Sequence, residues 1–429
     1  MVIKTMKLPL YINQWEERKM CRCKIAILVL IMLSAFSLVG CTNYNPAVKQ
    51  MTAKLPAVQI QEPPGTEAVN AVLRMLNENV GWLAINSVNP SDNTTVANTL
   101  FLTKDSGVTW VKISSLGYLF KEMQYVNEEQ GWALGTTGTG SQMRGVILIT
   151  TDGGKSWTKQ WEQAIDGTNP KFQLQFLNPK EGYALIGKSL LATSDGGESW
   201  VPLKNQSFSS FSFVSSLEGW ACDSISLWHT VDGGHEWKKQ WSAPARFRNI
   251  AENGKTANYV DFISPSTGWA LFAGQVTEHD LLQLTLRSTD KGDTWMITNE
   301  FYDNGKVPPG TQVNPAECLP LKFVAVNEKT AFYSTATPVP RLYPRIYRTD
   351  DKGKTWHMFN EHIPNVEGGI IQGILKDFEF ISSNLGWAAI VVPNSIDEPR
   401  GARLEIFSTK NGGNSWYCYQ YMEYEKARQ

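Results

Sequence analysis

Seven times this chain writes the same short polar turn, and that turn decides what the chain can fold into. The stretch Thr150-Thr151-Asp152-Gly153-Gly154-Lys155-Ser156-Trp157 has the form Ser/Thr-x-Asp-x-Gly-x-Ser/Thr-Trp. It returns as Thr193 to Trp200 and, with small departures, five more times. A unit repeated so often is architectural. One copy cannot bury its own apolar face, so neighbouring copies must stack.

The closing tryptophans are Trp110, Trp157, Trp200, Trp237, Trp295, Trp356 and Trp416, spaced by 47, 43, 37, 58, 61 and 60 residues. A second mark precedes each of them: Gly81-Trp82, Gly131-Trp132, Gly182-Tyr183, Gly219-Trp220, Gly268-Trp269, Ala331-Phe332 and Gly386-Trp387. Apolar runs such as Phe211-Ser212-Phe213-Val214 and Val146-Ile147-Leu148-Ile149 stand before these two marks. β-Branched and aromatic runs of this length between turn signals read as strands. Each repeat therefore predicts four strands, and no amphipathic helix is expected. Seven repeats of four strands predict an all-β, seven-bladed β-propeller with four-stranded antiparallel blades over residues 67–429, its closed ring leaving only short sheet edges.

Comparing the seven copies shows what the turn needs. The second glycine never varies: Gly107, Gly154, Gly197, Gly234, Gly292, Gly353 and Gly413. The residue before it varies, with Ser106, Lys291 and Lys352 among its occupants. The acid is Asp105, Asp152, Asp195, Asp232, Asp290 and Asp351, but Asn411 in the last copy. Asn makes the same bond to backbone N–H groups without charge. The charge is dispensable, which speaks against calcium binding or acid–base chemistry at the turns. The tryptophans are expected between the sheets of neighbouring blades.

The N-terminus has a different character. Basic residues Arg18, Lys19, Arg22 and Lys24 precede an apolar run, Ile25 to Val39, which is the layout of a signal peptide. The run ends Leu38-Val39-Gly40-Cys41, and Leu-x-Gly-Cys resembles a bacterial lipobox. Residues 1–40 are expected to be a lipoprotein signal, and Cys41 to carry the lipid that anchors the chain to a membrane. Residues 41–66, with Pro46, Pro56, Pro63, Pro64 and Gly65, read as a spacer, and Leu55 to Gln61 are able to add one edge strand. These readings place the propeller outside the cytoplasm. Removing residues 1–40 takes six basic and two acidic residues from totals of 40 and 41, leaving 34 and 39, a net charge of −5. Nucleic acid is excluded as a partner on that balance. Cys222, Cys318 and Cys418 remain, fitting one disulfide or three buried thiols equally, and their spacing is no metal motif. No cofactor is expected.

The turns resemble the Asp-boxes of sialidases and sortilin-type receptors. The added Gly-Trp-Ala, as in Gln130-Gly131-Trp132-Ala133, resembles the photosystem II stability/assembly factor family more closely, over about residues 67–421. That resemblance implies a seven-bladed propeller acting as a non-catalytic assembly factor, with an arginine patch. Sialidase chemistry would require an arginine triad whose first member stands in a Phe/Tyr-Arg-Ile-Pro string near the domain start. Pro344-Arg345-Ile346-Tyr347 and Arg246-Phe247-Arg248 match it neither in place nor in sequence. The histidines are scattered, and no Gly-x-Ser-x-Gly, His-Glu-x-x-His or phosphate loop is present.

Loop lengths point to a working face. From the second-strand mark to the box Trp the repeats run 17 to 29 residues, and from there to the next mark 20 to 37. The extra length falls in strand two–three loops and blade-to-blade connections, on the face opposite the boxes, where function is usually placed. Arg246, Arg248, Arg341, Arg345, Arg400 and Arg403 lie in or beside those loops and form a candidate binding patch. The expected partner is a protein of the cell envelope. A surface glycan, bound or hydrolysed, is the alternative.

Overall fold

Each box closes the hairpin between the third and fourth strands of a four-stranded antiparallel sheet, and the sheets follow one another along the chain without exchanging strands. The computed structural model describes residues 58–60, 67–88, 95–138, 142–165, 170–203, 207–275, 281–303, 319–335, 344–358, 363, 373–392 and 403–424. The signal, Cys41, most of the spacer, Cys318, Arg341 and Arg400 lie outside them. The seven blades span 67–116, 119–164, 172–203, 210–242, 255–303, 320–358 and 374–424. Val58–Ile60 pairs in parallel with the outermost strand of the seventh blade, Tyr417–Tyr424, so an edge strand does come from the spacer.

The first strand of every blade is innermost. These strands lie side by side, and the seventh, Ile374–Phe380, meets the first, Glu67–Met75, closing the ring. The core consists of wedges between blades. Each box Trp sits in such a wedge: Trp110 with Trp387 between blades one and seven, Trp157 with Trp82 between blades one and two, Trp416 with Phe332 between blades six and seven.

The two sequence marks bind each other across blades. The indole N–H of Trp82 donates to Gly153 O in the next box at 2.9 Å, Trp132 to Gly196 O at 2.9 Å, Trp220 to Lys291 O at 3.0 Å, and Trp387 to Ser106 O at 2.8 Å. Phe332 has no N–H to give. Its cross-strand neighbour Arg348 donates to Gly412 O instead, at 2.7 Å. The same aromatics stack on the ring that ends the next blade's first strand: Trp82 on Tyr125, Trp132 on Phe176, Tyr183 on Phe213, Trp220 on Phe262, and Phe332 on Phe380, at 3.5 to 3.6 Å. Parallel ring contacts this close bury large aromatic surface between the blades.

Among the described residues one short helix departs from the expectation of none: α1 (Ala245–Asn253), between blades four and five. Only Phe247 and Ile250 are buried on it, one apolar contact per turn, too little to show as a periodic stripe in the sequence. Cys222 and Cys418 are buried in separate wedges and do not bridge each other. His229 stacks on Trp220 at 4.7 Å.

Candidate functional site: the central channel and the face opposite the boxes

The boxes fix one face of the ring. In each, the residue before the constant glycine donates its N–H to the strand one–two turn of its own blade, for example Gly153 to Glu129 O and Gly412 to Asn384 O, both at 2.8 Å. The box and that turn therefore share a face, and the strand two–three loops and blade-to-blade connections occupy the other.

Within a box the Ser/Thr and Asp side chains bond to the turn's own groups. Thr150 Oγ1 accepts the N–H of Gly154 at 2.8 Å and donates to Asp152 Oδ1 at 2.8 Å. Asp152 also accepts from the N–H and the hydroxyl of Ser156, at 2.9 and 2.6 Å. The Ser156 hydroxyl bond does most to hold the Asp152 carboxyl down, to about 2. Asp195 lies lower still, chiefly through Ser199. Asn411 takes the Ser415 N–H at 2.9 Å and donates its own Nδ2 to Ser415 Oγ. No cluster of three or more metal-ligating side chains occurs among the described residues. The boxes are turns, and their chemistry is used up in making them.

The inner strands enclose a channel of about 620 Å³ lined by polar and charged side chains. Most of these stitch one blade to the next. Gln124 donates to Phe176 O at 3.0 Å and accepts its N–H at 2.7 Å. Gln173 and Gln175 grip Phe211 and Phe213 in the same way. Ser212 Oγ accepts from Phe262 N at 2.9 Å, and Asp261 Oδ2 from Ala325 N at 2.9 Å. The seventh blade reaches the first through carboxylates: Asp377 accepts from Leu73 N and Glu379 from Met75 N, both at 2.9 Å. Asp377 also pairs with Lys322 at 2.7 Å. Arg74 pairs with Glu122 and stands 3.7 Å from both Asp377 and Glu379. Burial alone would pull its guanidinium down, but those three carboxylates hold it up. Asp261 keeps some contact with the channel, yet lies deep in the ring, and burial pushes its carboxyl up to about 6. Burial pushes Glu379 up as well, with Arg74 opposing.

Two channel cations have no carboxylate partner among the described residues. Lys121 occupies a bulge where the first strand of blade two begins, and Lys171 stands just before the first strand of blade three. Both are half-buried, and burial pulls both ammonium groups below their ordinary value. Lys376 holds the matching bulge in blade seven and lines the same channel. Because first strands run toward the box face, these lysines stand at the opposite mouth. Sequence reading missed them. Their signal was a lone Lys near the start of a first strand, with no motif around it.

The described members of the arginine patch lie on that same face. Arg246 and Arg248 are exposed on α1. Arg246 pairs with Glu300 and lies over the Tyr302 ring at 5.1 Å. Arg345 and Arg403 begin the third strands of blades six and seven, and Arg403 pairs with the buried Glu405. Arg246 and Arg248 share one helix, while Arg345 and Arg403 sit on separate blades.

No family model matches the chain. Over 97 residues it is 30% identical to the chloroplast photosystem II stability/assembly factor HCF136 of Arabidopsis thaliana, a match covering 21% of this chain and 22% of that protein. The match thus spans about a fifth of the curated relative's length. Among solved structures, YCF48 bound to a D1 peptide aligns with a TM-score of 0.45 and 16% identity, covering 78% of this chain and 94% of that one. A family PL25 ulvan lyase aligns with a TM-score of 0.45 and 10% identity, covering 84% and 97%. The chain is an Asp-box seven-bladed propeller, and it resembles the photosystem II stability/assembly factor family.

Proposed function

We propose that this propeller is a non-catalytic, membrane-anchored scaffold outside the cytoplasm that binds or helps assemble a partner protein through the face opposite its boxes. One observation supports the reading: the seven boxes are bonded turns on one face, whereas helix α1 with its exposed arginines and the channel lysines Lys121 and Lys171 stand toward the other. The resemblance to a named assembly factor supports the class. The chemistry supports it too, since the channel carboxylates bind backbone N–H groups or cations of neighbouring blades.

Cells carrying the full chain with a photo-crosslinking residue at Arg248 or at Lys155 test the face. A discrete protein adduct from Arg248 and none from Lys155 is expected, and equal adducts from both would sink the assignment. Replacing Arg341, Arg345, Arg400 and Arg403 together weakens the capture, and unchanged capture retires the patch. The anchor is tested by Cys41→Ala, which moves the chain from the membrane fraction to the soluble one.

A glycan-directed reading rests on Asp261 and Glu379, two carboxyls in one channel whose pKa values burial pushes up, a pattern that marks acid–base sites in enzymes. Sugar release from cell-surface glycan that disappears in Asp261→Asn would favour it over the scaffold.

A further inference from the structure

We propose that the channel mouth opposite the boxes is a binding site for a small organic acid, with Lys121 and Lys171 as its carboxylate-binding cations. The argument is one of unmatched charge inside a cavity. The channel carboxylates Glu122, Asp261, Asp377 and Glu379 all accept bonds from Arg74, Lys322 or strand N–H groups. The channel cations are not all answered. Arg74 and Lys322 have acidic partners, but Lys121 and Lys171 have none among the described residues. A half-buried ammonium without a counter-charge is unfavourable, and an ordinary scaffold would replace it with a neutral residue. Lys121 lies on the first strand of blade two and Lys171 directly before that of blade three, two strands that Gln124 locks side by side. Their spacing is therefore set by the ring and does not depend on a flexible loop.

The surroundings define the ligand further. The channel, at about 620 Å³, is in the range of small-molecule sites. Ser209 and Asn70 line the same channel, as groups able to bond hydroxyls. Leu321, exposed at the equivalent bulge of blade six, gives the mouth an apolar lip. A carboxylate carried on a short polyhydroxy or aliphatic skeleton satisfies all three features.

The test uses the full chain, purified in detergent, titrated with citrate and with glucuronate at physiological ionic strength, where exposed charges are largely screened. Glucose is the neutral control. Saturable binding of at least one acid and none of glucose is expected, read by calorimetry. Lys121→Gln with Lys171→Gln should weaken it at least tenfold, while Arg246→Gln leaves it unchanged. Unfolding by urea is followed on the same variants. Because each lysine is disfavoured by burial, the double variant should be no less stable than the parent, so lost binding cannot be ascribed to lost folding. Binding of neither acid, binding equally tight in the double variant, or a double variant that fails to fold would each overturn the proposal.

Discussion

At the scale of single residues, the box shows which atoms of a repeated motif matter. Asp152 contributes two acceptor oxygens, and only one of them needs to be an acceptor for the backbone. Asp152→Asn should therefore stay close to the parent in urea midpoint, whereas Asp152→Ala leaves the Ser156 N–H without its acceptor and costs about 1 kcal/mol. The acid leaves a pH signature. Its folded acidity lies at about 2, below the usual aspartate value, so the folded state binds its proton more weakly than the unfolded chain does. The stability it contributes is present above about pH 4 and fades as pH falls toward 2. Asp152→Asn should remove that part of the acid limb, and an acid limb identical to the parent would show that the turn does not favour the anion. Asp261 has the opposite sign. Its folded pKa is raised to about 6, so stability falls as pH rises from about 4 to 6. Asp261→Asn keeps an acceptor for Ala325 N–H and should be more stable than the parent at pH 7, by on the order of 1–2 kcal/mol with channel water screening part of the effect. Reduced stability at pH 7 would mean that the charge is favoured. The glycines divide in the same physical way. The position before the constant glycine has φ of 67° at Ser106, 63° at Lys291 and 68° at Lys352, a left-handed conformation that other residues reach at modest strain. The constant glycine is held by packing as well as by φ: at Gly154, with φ of 95°, a Cβ would meet Leu100 at 2.7 Å.

At the scale of elements, the Gly-Trp mark is explained by its own blade. A Cβ at Gly219 would meet the Phe213 ring at 2.4 Å, and the same clash recurs at Gly131 with Tyr125 and Gly268 with Phe262. Ala331 is the exception, and its cross-strand partner is Ala325, so no ring is there to be displaced. The glycine and the ring six residues before it are thus one device. Gly219→Ala alone should cost about 1–3 kcal/mol and Phe213→Ala about 3–5 kcal/mol. The double variant, which imitates Ala331 with Ala325, should lose about 1–2 kcal/mol less than the sum. Strict additivity in urea denaturation would show that ring and glycine act independently. This device also marks how far the sequence could be read. Blade count, strand order and the pairing of box with one face were legible because they rest on local repeats of turn residues and aromatics. Helix α1 was not, because two buried residues make no period. The inter-blade clasp was not either. Trp82 and Gly153 are 71 residues apart, and nothing local ties an indole to that carbonyl. The candidate site fared worst. Arg246 and Arg248 stood out as clustered charge, whereas Lys121 and Lys171 acquire meaning only when the ring places them in one channel.

At the scale of the whole molecule, the weak place in a closed ring is where its ends meet. Among the described residues, blades one and seven share no strand, and the only added segment, Val58–Ile60, pairs on the outer edge of the seventh. The closure therefore depends on side chains: Asp377 and Glu379 on Leu73 and Met75, Arg74 against both carboxylates, Trp387 on Ser106 O, and the wedge that holds Trp110. The seam between blades three and four makes the comparable contacts with two neutral glutamines and four bonds. A carboxylate carries more at the closure because it also answers Arg74 and Lys322. Asp377→Ala removes the acceptor of Leu73 N–H and strands Lys322, a combination that costs about 2–4 kcal/mol. Asp377→Asn retains the backbone acceptor and should fall between the two. Hydrogen exchange locates the loss. Leu73 and Met75 amides should exchange faster in Asp377→Ala, while Phe211 and Phe213 amides across the ring keep their protection, because opening one seam leaves the other six intact. If all four amides accelerate together, the ring opens only by global unfolding, and the closure is no weaker than any other seam.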